Sequence, residues 1–539
     1  MPLVTVFGEI ARKAGGWLPL IGVSALVGTL GALALPVVLG RAVDSIVTGG
    51  SPVWFWLAAG VIALGIVSDL VDAFAGTACV AGTTAWVRDR LVRHVLSVGP
   101  RHGFATGDLV SRVSGNAAEA ANAGPALMTV WMSVLPPVGS LFLLAYLDIW
   151  LAVAFLAGIG LVAVVLRLFT VRTASVVTAY LTVQGRIAAR LSESLNGLRT
   201  IAAAGTADRE QHRVLAPLPE LHEQGMRSWR VLSGSAAQGA VVGPLVLVAV
   251  LGTGGWALSA GRLTPGELFA AGQYAMLGAG LGGLTSVFGR LARARAGAGR
   301  VGSVLTVPAV GYGSAALPPG AGELTFRGVS VDGLLTDVSF TVPGGSSAAV
   351  VGRSGAGKSV LAEVAARLRD PSAGVVSLDG VPLKSLPHAE LRESVGVAFE
   401  RPRLVGATVG AAIGPRPEEA ARATYAHEFV SRLPDGYDTP LGEAPMSGGE
   451  LQRLGLARAW TATRLLVLDD ATSSVDMVTE LRISRAMIEA GGRTRLVVTH
   501  RMSTAARADL VVWLEGGRVR GIGTHDELWE EPGYREVFG

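Results

Sequence analysis

Gly352-Arg353-Ser354-Gly355-Ala356-Gly357-Lys358-Ser359 fits the phosphate-loop pattern G-x-x-x-x-G-K-[ST], with an apolar run at 348–351 before it and a helical run at 360–368 after it. A strand, a glycine-rich turn and a helix in that order make a nucleotide site. The glycines let backbone N–H groups curl round phosphates, and the helix N-terminus adds a positive dipole. Lys358 is placed to neutralise the outer phosphates and Ser359 to ligate Mg²⁺. Only three of the 46 lysines and arginines are lysines (Lys13, Lys358 and Lys384), so a chain that nearly always uses arginine keeps an ammonium here. A slim point charge suits such a cradle where a forked guanidinium does not.

Outside this motif the chain is unusually apolar. Its 539 residues are 50% hydrophobic and 16% charged, with mean hydropathy +0.46, which places part of it in lipid. Apolar runs long enough to cross a bilayer lie at 18–39, 54–80, 125–147, 150–169, 240–259 and 265–288, predicting six spans. Their connections alternate between short (44–53, 148–149, 260–264) and long (81–124, 167–238). The long ones carry five and nine arginines, whereas the short ones carry only Arg262. By the positive-inside rule the long connections, and with them both termini, face the cytoplasm. The first span reads as retained, because no small-residue cleavage site follows a short apolar core. The net charge of +4 suits arginines against anionic headgroups, and no basic stripe with interleaved aromatics points to nucleic acid. Cys79 is the single cysteine, which excludes an internal disulfide and a thiolate metal site. Asp69 and Asp72 lie three apart on one face of the second span, where carboxylates face a wet cavity or a partner. They are candidate contacts for a cationic cargo, the alternative being a hydrated or arginine-paired place near the inner boundary.

The reading divides the chain into a helical membrane domain over 1–300, a linker over 301–322, and a domain over 323–539 whose strands and helices alternate. That alternation predicts an α/β fold around a largely parallel sheet. In this last domain Leu465-Leu466-Val467-Leu468-Asp469-Asp470 reads as a buried strand that delivers Asp469 beside the phosphate loop as a Mg²⁺ partner. Met446-Ser447-Gly448-Gly449-Glu450 opens a helix whose N–H groups, with the Ser447 hydroxyl, suit a γ-phosphate. Thr499-His500 follows a further strand at 495–498.

Taken in this order, the set resembles the nucleotide-binding domain of ATP-binding-cassette (ABC) transporters: GRSGAGKS as Walker A, MSGGE as signature, LLVLDD as Walker B and His500 as switch histidine. "FATGDLVSRV" (104–113), "LSESLNGLRTI" (191–201) and "GRLTPGELFAAGQY" (261–274) resemble segments of the six-helix exporters of that family. The resemblance implies a half-transporter: an all-α six-helix transmembrane domain followed by an α/β P-loop ATPase domain, in the cytoplasmic membrane. It also implies that ATP and Mg²⁺ are sandwiched between the Walker A of one subunit and the signature of another. Coupling contacts are then expected near 104–109 and 198–207, and Asp476 at the subunit boundary.

Four departures from the family pattern shape the expectation for this chain. Asp470 stands where a glutamate usually holds the attacking water, and a misplacement of about 1 Å can cost about 10²-fold in rate. Glu400 replaces the Q-loop glutamine, and its anionic oxygen can still approach Mg²⁺. Gly333 aligns with the aromatic residue that stacks on adenine. The stretch 438–450 is about two residues shorter than usual by the same resemblance. The signature residues Ser447, Gly448 and Gly449 are kept, with Glu450 a mild variation. An intact signature beside an altered Walker side predicts a heterodimer with a similar half-transporter, in which this chain's own site is slow. A slow homodimer and a nucleotide-gated regulatory subunit are the alternatives. The spans leave the cargo open among lipid, drug-like molecule, peptide and siderophore.

Overall fold

The computed structural model describes residues 3–279, 284–489 and 492–538. The chain divides into two compact units, Met1–Val95 with Phe104–Val307, and Leu96–Gly103 with Pro308–Gly539.

The first unit is helical, and all six predicted spans fall on helices. They lie in Leu18–Thr48, Val53–Val98, Ala123–Leu147, Ile149–Asn196 and Leu218–Ser259, and the last in Pro265–Ala279 and Leu284–Leu305. Positions 280–283 of the sixth lie outside the described residues. Among the described residues three helical stretches are long and apolar enough to cross a bilayer: Leu18–Thr48, Val53–Val98 and Thr106–Leu147. Ile149–Gly160 and Gly243–Ser259 are shorter apolar helices.

Water is not what these helices are built for. Trp56, Phe74, Trp131 and Phe142 are each more than two-thirds exposed, a surface suited to hydrocarbon and costly in a soluble protein. Small residues set the packing between helices. A Cβ on Gly266 would lie 2.0 Å from the Gly40 carbonyl oxygen, so the backbones of Leu18–Thr48 and Pro265–Ala279 touch. Asp44 locks the same crossing by accepting from Gly266 N–H and from Thr264 Oγ1, each at 2.8 Å. Lower in the contact, Tyr274 is fully buried and donates to the Leu33 carbonyl at 2.7 Å.

The first expected coupling segment, 104–109, lies in the first unit. Phe104 and Leu109 pack on the apolar cluster of Val6, Ile10, Val87, Leu91 and Ala117 in the first unit. The residues just before them, Leu96–Gly103, group with the second unit, where Ser97 O accepts from Val310 N at 3.2 Å. The second expected segment carries a short helix, Leu198–Ala204, with no buried residue.

Among the described residues the second unit holds ten strands: β1 (Leu324–Val331), β2 (Leu335–Val342), β3 (Ser347–Val351), β4 (Ala373–Leu378), β5 (Val381–Pro382), β6 (Val395–Phe399), β7 (Leu465–Asp469), β8 (Thr494–Val498), β9 (Leu510–Glu515) and β10 (Arg518–Gly523). One sheet has the order β10-β9-β3-β8-β7-β6, with all pairs from β9 to β6 parallel and β10 antiparallel at the edge. Its central strands are continuous apolar runs because both faces are covered: Ala348–Val351 are fully buried, as are Leu465 and Val467. A second sheet, β2-β1-β4-β5, is antiparallel, an element the sequence reading did not anticipate. Phe326 and Phe340 stack across it at 4.6 Å and join the core that also holds Leu361 and Val350. Parallel β3 and β7, each paired with β8 between them, end on the same side of their sheet. Their C-terminal ends therefore bring the phosphate loop and Asp469 together.

Candidate functional site

The loop between β3 and the helix Lys358–Ala365 can form only with glycine at its pivots. Gly357 has φ +98, and a Cβ on Gly352 would lie 2.2 Å from the Leu514 carbonyl oxygen. Arg353, Ser354 and Gly355 are exposed at the rim, while Ala356 is buried beneath. Lys358 is only 6% exposed, and its Nζ donates to the carbonyls of Gly352 (2.7 Å) and Arg353 (3.0 Å). Burial pulls its ammonium below the usual lysine range, and the nearby Asp470 and Asp469 carboxylates partly offset this. A buried cation held by two carbonyls and facing two carboxylates is a ready partner for phosphate oxygens. Arg353 also pairs with Glu536 at 2.6 Å, tying the rim of the loop to the C-terminal helices.

Ser359 Oγ donates to Asp469 Oδ1 at 3.1 Å, so two of the three expected Mg²⁺ contacts are brought together. Burial raises the Asp469 pKa; the Ser359 bond opposes this, while Asp470, Glu363 and Glu400 add to it. Among the described residues no cluster of three or more His, Cys, Asp and Glu could hold a metal ion. Mg²⁺ requires none, since it keeps several waters and takes phosphate oxygens. The Ser359–Asp469 pair fits that ion in company with a nucleotide. Glu400 contributes differently: its side chain is 55% exposed and 3.9 Å from Arg401, and its backbone carbonyl accepts from Gln452 Nε2 at 2.6 Å.

Asp470 adopts a left-handed backbone (φ +47), which a short carboxylate side chain tolerates better than most. This turn points Oδ2 at His500 Nε2, 3.4 Å away. Burial raises its pKa, with His500 and Lys358 pulling the other way. A cavity of about 340 Å³ opens beside this pair, with Leu468, Ile483 and Val497 in its walls and Glu400, Asp470 and His500 among its polar lining.

Gln452, which the sequence reading missed, organises the neighbouring loops. Besides Glu400 O, its Nε2 donates to Ser473 Oγ at 2.9 Å, and its Oε1 accepts from Ser474 N at 2.8 Å. One buried amide thus fastens the loop after β6 to the loop after β7. No motif marks it; the only sequence signal is a polar residue on the inward face of a helix. Asp476 caps the next helix, Met477–Glu489, by accepting from Thr479 N at 2.9 Å, and this bond holds its carboxyl below the usual range.

The helix Gly448–Trp460 begins at Ser447, whose hydroxyl accepts from Glu450 N while the Glu450 carboxylate accepts from Ser447 N and Oγ. Among the described residues, no hydrogen bond or ion pair joins Ser447–Glu450 to the phosphate loop or to the Asp470–His500 pair. Gly333, at φ +71, occupies the turn between β1 and β2 with open space where a Cβ would point. In the first unit Asp69 is exposed and Asp72 half-buried, with Asp72 Oδ1 buried and lacking a hydrogen-bond partner among the described residues.

Comparison with known proteins adds a second line of evidence. Residues 18–279 match the ABC transporter transmembrane region, and residues 335–473 match the ABC transporter family. The chain is 46% identical over 529 residues to the ABC transporter ATP-binding protein RamA of Streptomyces coelicolor, covering 94% of this chain and 83% of RamA. It is 32% identical over 451 residues to the ATP-dependent lipid A-core flippase of Chromobacterium violaceum, covering 79% of this chain and 77% of that one. In fold it is similar to a bacterial Atm1-family ABC exporter solved with ATP bound, with TM-score 0.80 at 24% identity and coverage of 98% and 97%.

Proposed function

This chain belongs to the ABC transporter family as an exporter's fused permease and ATP-binding subunit, and from that premise we propose that it works as the slow half of an asymmetric pair. Its own phosphate-loop site binds ATP and turns over weakly. Its signature helix completes a faster site on a similar half-transporter that carries glutamate at the position of Asp470. The observation that carries this reading is the contrast between Asp470, one methylene short and turned onto His500, and Ser447, kept at an exposed helix N-terminus. The lack of any bond between the signature and the phosphate loop among the described residues supports pairing as such, with a similar or an identical chain, because each sandwich then needs a second subunit.

In this reading Lys358 exchanges its two loop carbonyls for phosphate oxygens, and Ser359 and Asp469 would hold Mg²⁺, which would supply neutralisation of phosphate charge. Asp470 and His500 orient water at the γ-phosphate. Gln452 passes the state of that site from the loop at Glu400 to the loop before Asp476. Tighter binding of ATP to the closed pair of ATPase domains than to the open pair shifts the population toward the outward-facing permease. The ATPase domain and both termini lie in the cytoplasm. For the cargo, Asp72 Oδ1, buried and without a hydrogen-bond partner among the described residues, supports a cationic group at Asp69 and Asp72, the alternative being hydration or pairing with an arginine near the inner boundary.

The test is ATPase activity of the purified chain alone, as Asp470→Glu, and with the partner half-transporter. Slow turnover alone and strong stimulation by the partner are expected. Robust turnover by the lone wild-type chain would reject the asymmetric pair and leave the homodimer, which the retained Asp470–His500 contact favours as the second reading.

A further inference from the structure

Ser447 offers two hydrogen-bond donors at the open end of its helix, the backbone N–H and the hydroxyl. Both are spent on one acceptor. The Glu450 carboxylate takes the N–H at 2.7 Å and the O–H at 2.8 Å through the same oxygen. Ser447 is exposed and Glu450 half-buried, so an anion reaching the helix end meets a carboxylate already seated there. The cations closest in effect, Arg453 and Arg432, are committed elsewhere. Arg453 donates to Tyr425 O and lies over the Phe429 ring, and Arg432 donates to Glu428 O.

We propose that Glu450 is a positioning residue that competes with the γ-phosphate for Ser447, and so sets how tightly this signature grips a nucleotide held by the partner subunit. The inference rests on the composite site proposed above. For the phosphate to gain the Ser447 hydroxyl, the carboxylate must let go and then remain close to a second anion. Two negative groups at that range weaken binding by about five- to tenfold at the exposure seen here. The same carboxylate is a favourable helix cap while no nucleotide is near. It therefore favours the open state of the pair and makes closure more demanding of ATP concentration.

The two roles predict opposite outcomes on substitution, which makes the inference testable. In the chain co-purified with its partner half-transporter, Glu450→Gln keeps an oxygen for the cap and removes the charge. KM for ATP is expected to fall about fivefold while kcat stays within about twofold. A residue that merely caps the helix would instead give an unchanged or higher KM with a lower Tm, and that result overturns the proposal. Glu450→Ala serves as the second variant: Tm drops as the cap is lost, yet KM still falls if competition is real. Partner-stimulated ATPase that is present but indifferent to both variants sinks this inference alone. Absence of any stimulation sinks it together with the composite site.

Discussion

The two ends of the ATPase domain are built to different standards. At the phosphate-loop end the cradle, Lys358 and the Ser359–Asp469 pair are in place, yet the position where the family pattern has glutamate is Asp470, a short carboxylate in left-handed backbone. At the signature end the serine and glycines are all in place, and the single change, Glu450, is drawn into the helix cap. Under the proposed asymmetric pair, binding elements are kept at both ends and the chemistry is weakened at only one. In that reading a subunit loses its own turnover and is still needed for its partner's, because the parts of one site come from two chains.

The largest effect should come from the signature end. Ser447→Arg fills the helix end with bulk and is expected to lower partner-stimulated ATPase by at least about 10²-fold, whereas Lys358→Ala removes this chain's own nucleotide and lowers the same rate only a few-fold. Equal losses in steady-state ATPase assays would erase the contrast between the two ends. Next in size, Asp470→Glu should raise ATPase of the lone chain about 10- to 100-fold and change the partnered rate by less than about twofold. A smaller change is expected for Gln452→Ala, which removes three hydrogen bonds and leaves buried groups unpaired. Thermal unfolding should then show a loss of about 2 kcal/mol in the ATPase domain, with weaker coupling of ATPase to transport.

The smallest prediction concerns pH. Asp509 accepts from Ser347 N and Oγ at 2.8 and 2.7 Å, and these bonds hold its carboxyl below the usual aspartate range. Its contribution is present above the unfolded pKa, about 3.9, and is lost as pH falls through the lowered native value. Asp509→Asn should lower Tm slightly at neutral pH and not at all in strong acid. A Tm difference that widens on acidification would contradict that assignment.

How much could be read beforehand depended on how local the physics is. The phosphate loop was legible because its shape needs glycine at fixed offsets, and β7 because a strand covered on both faces must be continuously apolar. The helices of the first unit followed from run length alone. By contrast, the antiparallel sheet rests on long-range pairings such as Phe326 with Phe340, fourteen positions apart across a turn, which no single window displays. Gln452 was invisible because an amide's role depends on which loops reach it. Glu450 was half-visible: Ser447-x-x-Glu450 fits a capping box, but that both serine donors are spent on it is a matter of distances. Asp69 and Asp72 fall on one helix as their spacing predicts, while the buried oxygen of Asp72 required its neighbours to be in place.

Leu96–Gly103 belongs to the compact unit of the ATPase domain although about two hundred residues separate it from Pro308. Leu96, Ser97, Gly99 and Pro100 line a cavity of about 640 Å³ together with Tyr312, His388 and Arg392. A gene fragment starting at Pro308 would express a domain stripped of this wall, with Val310 N–H deprived of its acceptor on Ser97. Dissection by truncation would thus yield a different object from the one embedded in the full polypeptide, and solubility trials on such fragments should supply the missing octapeptide in trans or by grafting.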